Sequence, residues 1–305
     1  MTEPLRPMST GELLDRTFAL YRRNFGLFLG IAVVTHVVYL AYALLTVQSS
    51  VLHPGKLGGY YLHLGVSWVV AAIVLTISQA ATVRAVAAVH LDQSISVWSS
   101  YRSLLGRMVS VLGVLGLIFL IAGVITAVLV VILFFIVGII FMGVGSQQAA
   151  RSAPLMLSIG FTVIALVFAI FVAVYVRYAL AIQACVVENL TAWASLKRSV
   201  ALSKDGRLRI AAVYVVFAVL SMTATLTMAW IARLAGTSLH SLVGRLALVN
   251  VASFFAGSLT APLATIGISL LYYDERVRKE AFDLQVMLSS LDAGAPPAEI
   301  VPAQI

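Results

Sequence analysis

Five histidines, one cysteine, twelve acids and twenty bases carry most of the acid–base and metal chemistry open to this 305-residue chain. The histidines are His36, His53, His63, His90 and His240. No two of them stand in H-E-x-x-H spacing, which would set two imidazoles on one helix face to share a zinc. His53 and His63 fall in one loop, and no metal site is expected there. His36 lies well inside an apolar run, where an ionisable group is a candidate for function, although a hydrogen-bonded packing histidine is the expectation. The apolar runs hold no paired carboxylates and no aspartate cluster of the kind that metal-dependent lipid transferases use. There is no G-x-S-x-G elbow and no Walker loop. No catalytic site, cofactor or metal is therefore expected, and the chain is read as not being an enzyme.

A different polar set does gather. Arg84, Arg177, Glu188, Arg198, Asp274, Arg276, Arg278 and Glu280 all fall at one side of the apolar runs. Arginine binds carboxylate or phosphate through forked, charge-assisted hydrogen bonds. Two readings stay open: a structural network that fixes how the runs pack, or a grip on a lipid-headgroup phosphate. The structural one is favoured, because bases at such junctions snorkel to the interface in any case.

These residues are positioned by long apolar stretches. The chain is 61% hydrophobic and 10% charged, against about one-quarter charged in ordinary globular domains. That composition, with charges confined to junctions, implies an all-α polytopic membrane protein with six transmembrane helices. The ten-residue alternation of an outer-membrane barrel is missing. The predicted spans are about 25–47, 64–89, 108–144, 154–187, 210–231 and 247–272, within one membrane domain over 1–288. Residues 289–305 are expected to be a disordered tail. The third run would reach roughly 55 Å as one helix against a core of about 30 Å. It is read as one tilted, protruding helix, with a break near Gly138 or Gly143 as the alternative. Pro262 predicts a kink in the sixth span. The loop at 49–63, with Pro54, Gly55, Gly58 and Gly59, separates the first two spans, and residues 232–246 join the last two. The polar N-terminus implies no cleavable signal peptide, and the single Cys185 permits no intrachain disulfide.

Amphipathic segments precede or follow these spans. At 10–23, Leu13, Leu14, Thr17, Phe18 and Tyr21 share a face, and Ser9 or Thr10 can cap the start. At 92–107 the apolar side is Ile95, Trp98, Tyr101 and Leu105. At 188–209 it is Leu190, Trp193, Leu196 and Val200. A last helix is expected over 274–291. Each is expected to lie at the cytoplasmic interface with its apolar side toward lipid. Arg16-Thr17-Phe18, Arg102-Ser103-Leu104 and Arg198-Ser199-Val200 stand before spans one, three and five, which suggests a threefold repeat of short helix plus two-span hairpin.

Sixteen of the twenty Lys and Arg fall on the side that holds both termini; only Lys56, Arg151, Arg233 and Arg245 fall opposite. This bias puts both termini in the cytoplasm. The net charge of +8 is accounted for by anionic lipid headgroups, and no nucleic-acid partner is expected.

Three blocks carry a resemblance: GELLDRTFALYRRNFG at 11–26, VVENLTAWASLKRSVALSK at 186–204 and LLYYDERVRKEAFDLQ at 270–285. They resemble the bacterial integral membrane proteins named after the membrane domain of glycerophosphodiester phosphodiesterases. That family has six spans and a tyrosine–aspartate pair followed by alternating arginines, corresponding here to Tyr273, Asp274, Arg276, Arg278 and Glu280. The phosphodiesterase activity is not implied, since its barrel needs about 250 residues of soluble chain. The resemblance implies a bacterial integral membrane protein and assigns no biochemical activity; with no catalytic motif and a broad cytoplasmic face of amphipathic helices, the chain is expected to sit in the inner membrane as a partner, scaffold or regulator of other membrane machinery. The alternative is a lipid or small-molecule carrier, without the buried carboxylates that ion coupling uses. The partners expected are the phospholipid bilayer and either another membrane protein or a bound phospholipid.

Overall fold

A computed structural model of the chain describes residues 8–52, 57–90, 93–143 and 153–280. The fold is all-α, with no strand among the described residues. Hydrocarbon demands this, because a helix satisfies its own backbone N–H and C=O groups within one segment. The helices are α1 (Thr10–Arg23), α2 (Phe25–Leu52), α3 (Leu57–His90), α4 (Val97–Arg102), α5 (Met108–Gly143), α6 (Ala153–Arg177), α7 (Ala181–Val187), α8 (Ala192–Ser203), α9 (Arg207–Ala235) and α10 (Leu242–Glu280). Six stretches are long and apolar enough to cross a bilayer: Phe25–Val47, Gly65–His90, Val97–Ile132, Gly160–Val187, Arg207–Ser238 and Leu242–Glu280. The order of short helix, span, span occurs three times: α1–α2–α3, α4–α5–α6/α7 and α8–α9–α10.

The hub is α10, which packs against α9, α2, α1 and α3. In its most apolar window 67% of residues are buried, against 0% for the third span. From Thr265 to Glu275 every residue is buried, so the helix is enclosed on all sides. Small residues allow this approach. A Cβ at Gly267 would collide with the Phe217 ring, so only glycine lets α9 lie this close. The helix runs through the buried Pro262 without interruption.

Several expectations change. Helix replaces most of the predicted loop at 49–63, since α2 runs to Leu52 and α3 starts at Leu57. Pro54, Gly55 and His53 lie outside the described residues. The connection between the last two spans shrinks, because α9 reaches Ala235 and a 3-10 turn fills Gly236–Ser238. The third run is continuous through Gly138. The break falls in the fourth run, where a turn at 178–180 separates α6 from α7. The expected last helix is no separate element up to Glu280, because α10 passes through Asp274 unbroken. Residues 281–305, Asp92, Arg6 and Arg151 lie outside the described residues.

The faces of the short helices also differ from expectation. In α1, Phe18 is exposed, while Leu13, Thr17 and Tyr21 of the expected face are buried. They meet protein rather than lipid: the Tyr21 hydroxyl donates to the Leu259 carbonyl of α10 at 2.9 Å. Burial raises the pKa of that phenol. Around α4 the inward residues are Ser100 and Leu104, while Trp98 and Leu105 are exposed. In α8 they are Ser195, Leu196, Ser199, Leu202 and Ser203, while Trp193 is exposed. Serines win the inner positions because the broken fourth run needs hydrogen-bond partners. Ser199 Oγ accepts from Leu180 N–H at 3.2 Å and donates to Arg177 C=O at 3.0 Å. Ser203 Oγ reaches the same carbonyl at 3.3 Å. Thr17 and Ser199 of the repeated signature are buried, whereas Ser103 is exposed, so the three copies do not use it alike.

Candidate functional site at the end of the last helix

The last two turns of α10 carry charge at helical spacing. Asp274 pairs with Arg278, Glu275 with Lys279 and Arg276 with Glu280, each at i,i+4. Such neighbours face each other on a helix. Around them two clusters form.

The first cluster centres on Glu188 and Arg198. The chain reverses at Asn189, which takes a left-handed φ of 59°, a conformation that asparagine tolerates better than most residues. The reversal folds α8 back, so that Arg198 Nε donates to both oxygens of Glu188 at 2.9 and 2.8 Å. The other edge of the same guanidinium donates to both oxygens of Glu280, with Nη2 at 2.7 Å and Nη1 closer still. Glu280 first, then Glu188, hold the guanidinium pKa above its already high ordinary value. Arg276 Nε lies 3.2 Å from Glu280 and 3.6 Å from Glu188. The Tyr272 hydroxyl donates to Glu188 Oε1, and the Arg276 guanidinium sits 5.9 Å from the Tyr272 ring centroid.

The second cluster centres on Asp274, whose side chain is 0% exposed. It accepts from Arg278 Nε at 2.8 Å, from Arg209 Nη1 and from the Met8 backbone N–H at 2.6 Å. The Met8 carbonyl in turn accepts from Arg209 Nη2 at 2.8 Å and from Arg278 Nη2 at 2.6 Å. Glu275 lies 3.6 Å from Arg209 and 3.5 Å from Lys279. Lys279 also donates to the Leu202 carbonyl at 2.5 Å and lies 3.8 Å from Asp205.

Five carboxylates thus face five bases, and the assembly carries no net charge. Of the eight residues singled out from sequence, Glu188, Arg198, Asp274, Arg276, Arg278 and Glu280 come together. Arg84 and Arg177 do not: both side chains are exposed, and Arg177 contributes its backbone carbonyl to Ser199 and Ser203. Not among the eight were Asp205, Arg209, Tyr272, Glu275, Lys279 and the Met8 backbone. The signal for Arg209 was the pair of adjacent acids Asp274-Glu275, which needs more bases than Arg278 and Lys279 alone to be well satisfied when buried.

The chain matches no family model, no curated protein and no solved structure.

Proposed function

We propose that this chain is a non-catalytic multi-pass protein of a bacterial inner membrane, with both termini cytoplasmic, that serves as a partner, scaffold or regulator for other membrane machinery. The observation behind this reading is the neutral five-by-five network at the end of α10. Every arginine in it is spent on a carboxylate of the same chain, and its product is a fixed surface joining Met8, just before α1, to α7, α8, α9 and α10. Guanidinium groups so engaged have little left for a phosphate, which favours a platform over a headgroup-binding pocket. The charge bias supports the orientation.

Affinity capture from native membranes tests it. A defined protein subunit should co-purify at fixed stoichiometry and be lost when Glu188→Ala opens the first cluster. A stoichiometric phospholipid with no protein subunit would favour a carrier instead. Reporter fusions at the C-terminus should report the cytoplasm; a periplasmic signal would reverse the assigned orientation.

A further inference from the structure

The three short helices share a feature outside the network. Each carries an exposed aromatic four residues before an exposed base: Phe18 and Arg22 in α1, Trp98 and Arg102 in α4, Trp193 and Lys197 in α8. The aromatics are 45%, 74% and 56% exposed, respectively. Spacing of i,i+4 stacks each pair on one helix edge. In α8 the stacking is direct, with Lys197 Nζ 5.6 Å from the Trp193 ring centroid. Arg22, Arg102 and Lys197 pair with no carboxylate among the described residues, whereas the five network bases each have at least one.

All three helices sit at one end of the bundle. Met8, just before α1, bonds Asp274, and Arg198 of α8 bonds Glu280. In α4 the Tyr101 hydroxyl donates to the Ile31 carbonyl near the start of α2 at 2.6 Å. The opposite edges are already occupied: Leu13 and Thr17, Ser100 and Leu104, and Leu196 and Ser199 are buried in protein. The inner edges of the three helices are thus taken by protein, and of the apolar stripes that the sequence offered to a membrane the aromatics Phe18, Trp98 and Trp193 remain exposed, each beside a base.

We propose that these three edges form one docking surface for an anionic phospholipid leaflet. Each ring seats at the boundary of headgroups and acyl chains, and the base beside it holds a lipid phosphate. Charge complementarity selects this occupant. Among the described residues, the network acids, Glu12 in the α1 cap and Asp15 of α1 do not pair with Arg22, Arg102 or Lys197, so these bases draw counter-ions from outside the chain. An aromatic body beside a cationic tip suits the interface better than water. The inference rests on the membrane-spanning reading above.

Four tryptophans make the test practical. Single-tryptophan variants keep Trp98, Trp193 or Trp68, with the others changed to Phe. Each is reconstituted in phosphatidylcholine vesicles with a minor fraction of brominated phosphatidylglycerol or, in parallel, brominated phosphatidylcholine. Trp68 lies near the other end of α3 and serves as the control. Quenching at Trp98 and Trp193 should report phosphatidylglycerol enriched about fivefold over phosphatidylcholine, which corresponds to about 1 kcal/mol per base. Arg102→Gln and Lys197→Gln should each bring the nearby tryptophan to parity, and Trp68 should show parity throughout. Parity at Trp98 and Trp193 before substitution would overturn the proposal, as would a preference that survives it. Quenching by neither lipid would place these edges in water, facing an acidic partner, and would also overturn it. The vesicles are symmetric, so lipid preference is read whichever way the protein inserts. A wrong orientation would show only in the reporter fusions.

Discussion

Removing the Asp274 carboxylate should detach Met8 and the start of α1 while leaving the bundle standing. In Asp274→Ala the Met8 N–H loses its acceptor, and Arg209 and Arg278 lose theirs. The three are not equally exposed to the loss. Arg278 is 40% exposed and hydrates readily, but Arg209 is only 19% exposed and keeps Glu275 at 3.6 Å and the Met8 carbonyl at 2.8 Å. Breaking a buried pair from one side costs about 3–5 kcal/mol. The residual partners of Arg209 put the expected cost at the lower end. Asp274→Asn keeps an acceptor for Met8 and should cost less, about 1.5–3 kcal/mol, the range for hydrogen bonds to charged groups. Because α1 is held at its start by this contact, the loss should appear as local opening. At one decade per 1.4 kcal/mol, amide exchange across 8–13 should accelerate about a hundredfold in the alanine variant and less in the asparagine variant. Hydrogen-exchange mass spectrometry on protein in nanodiscs reads this, with 263–271 of α10 as an internal reference. Unchanged exchange at 8–13 would refute the assignment of Asp274 as the anchor. Equal acceleration in both segments would show that it holds the whole bundle rather than the start of α1.

Three further substitutions address other joints. In Gly206→Ala the new Cβ would stand 2.6 Å from Glu275 Oε1, which forces that carboxylate off Arg209 and Lys279; a cost of about 1–3 kcal/mol is expected. The lowered melting temperature in detergent should be partly restored by Glu275→Asp, whose shorter side chain clears the methyl. Ser199→Ala leaves the buried Leu180 N–H without its acceptor, while Arg177 C=O keeps Ser203; a loss of about 1–3 kcal/mol should appear as a lower melting temperature and faster exchange at 178–184. Arg198→Lys should be nearly as damaging as Arg198→Ala, because an ammonium cannot fork onto Glu188 and Glu280 together; a melting temperature at the wild-type value would show that charge alone suffices there.

The parts of this fold that could be read from the chain are those set by local physics. Six apolar stretches, and a capped helix at Thr10–Arg23 with the Ser9–Glu12 box, need no knowledge of what packs where. The break at 178–180 could not be read, because Tyr178-Ala179-Leu180 contains no glycine or proline and stays apolar. It exists because α8 supplies Ser199 and Ser203 to the freed backbone groups, and that pairing is tertiary. For the same reason the inner face of α8 could not be read: Ser199 and Ser203 lie inside because they complete the broken run. Trp98 and Trp193, expected on the side facing lipid, are exposed. The charged network was partly visible: a shared level beside the apolar runs singled out Glu188, Arg198, Asp274, Arg276, Arg278 and Glu280, whereas Arg209 and the Met8 backbone arrive from other parts of the chain.

Apolar helices in lipid gain little from hiding apolar surface, because the solvent is as apolar as they are. Burial alone therefore does not decide which helix neighbours which. The network at the end of α10 supplies that decision, since it draws on every one of the three short-helix-plus-hairpin units. Met8 brings the first unit, Glu188 at the end of α7 brings the second, and Arg198, Arg209 and α10 itself belong to the third. If the first unit failed to dock, buried Asp274 would lose the Met8 N–H, and if the second failed, Arg198 and Arg276 would lose Glu188, at about 1.5–3 kcal/mol for each hydrogen bond to a charged group. In α5, Val128, Val130, Val131 and Ile132 are exposed and carry no polar side chain, whereas Val111 and Val114 in its first turns are buried near the polar end, and these turns hold the third span.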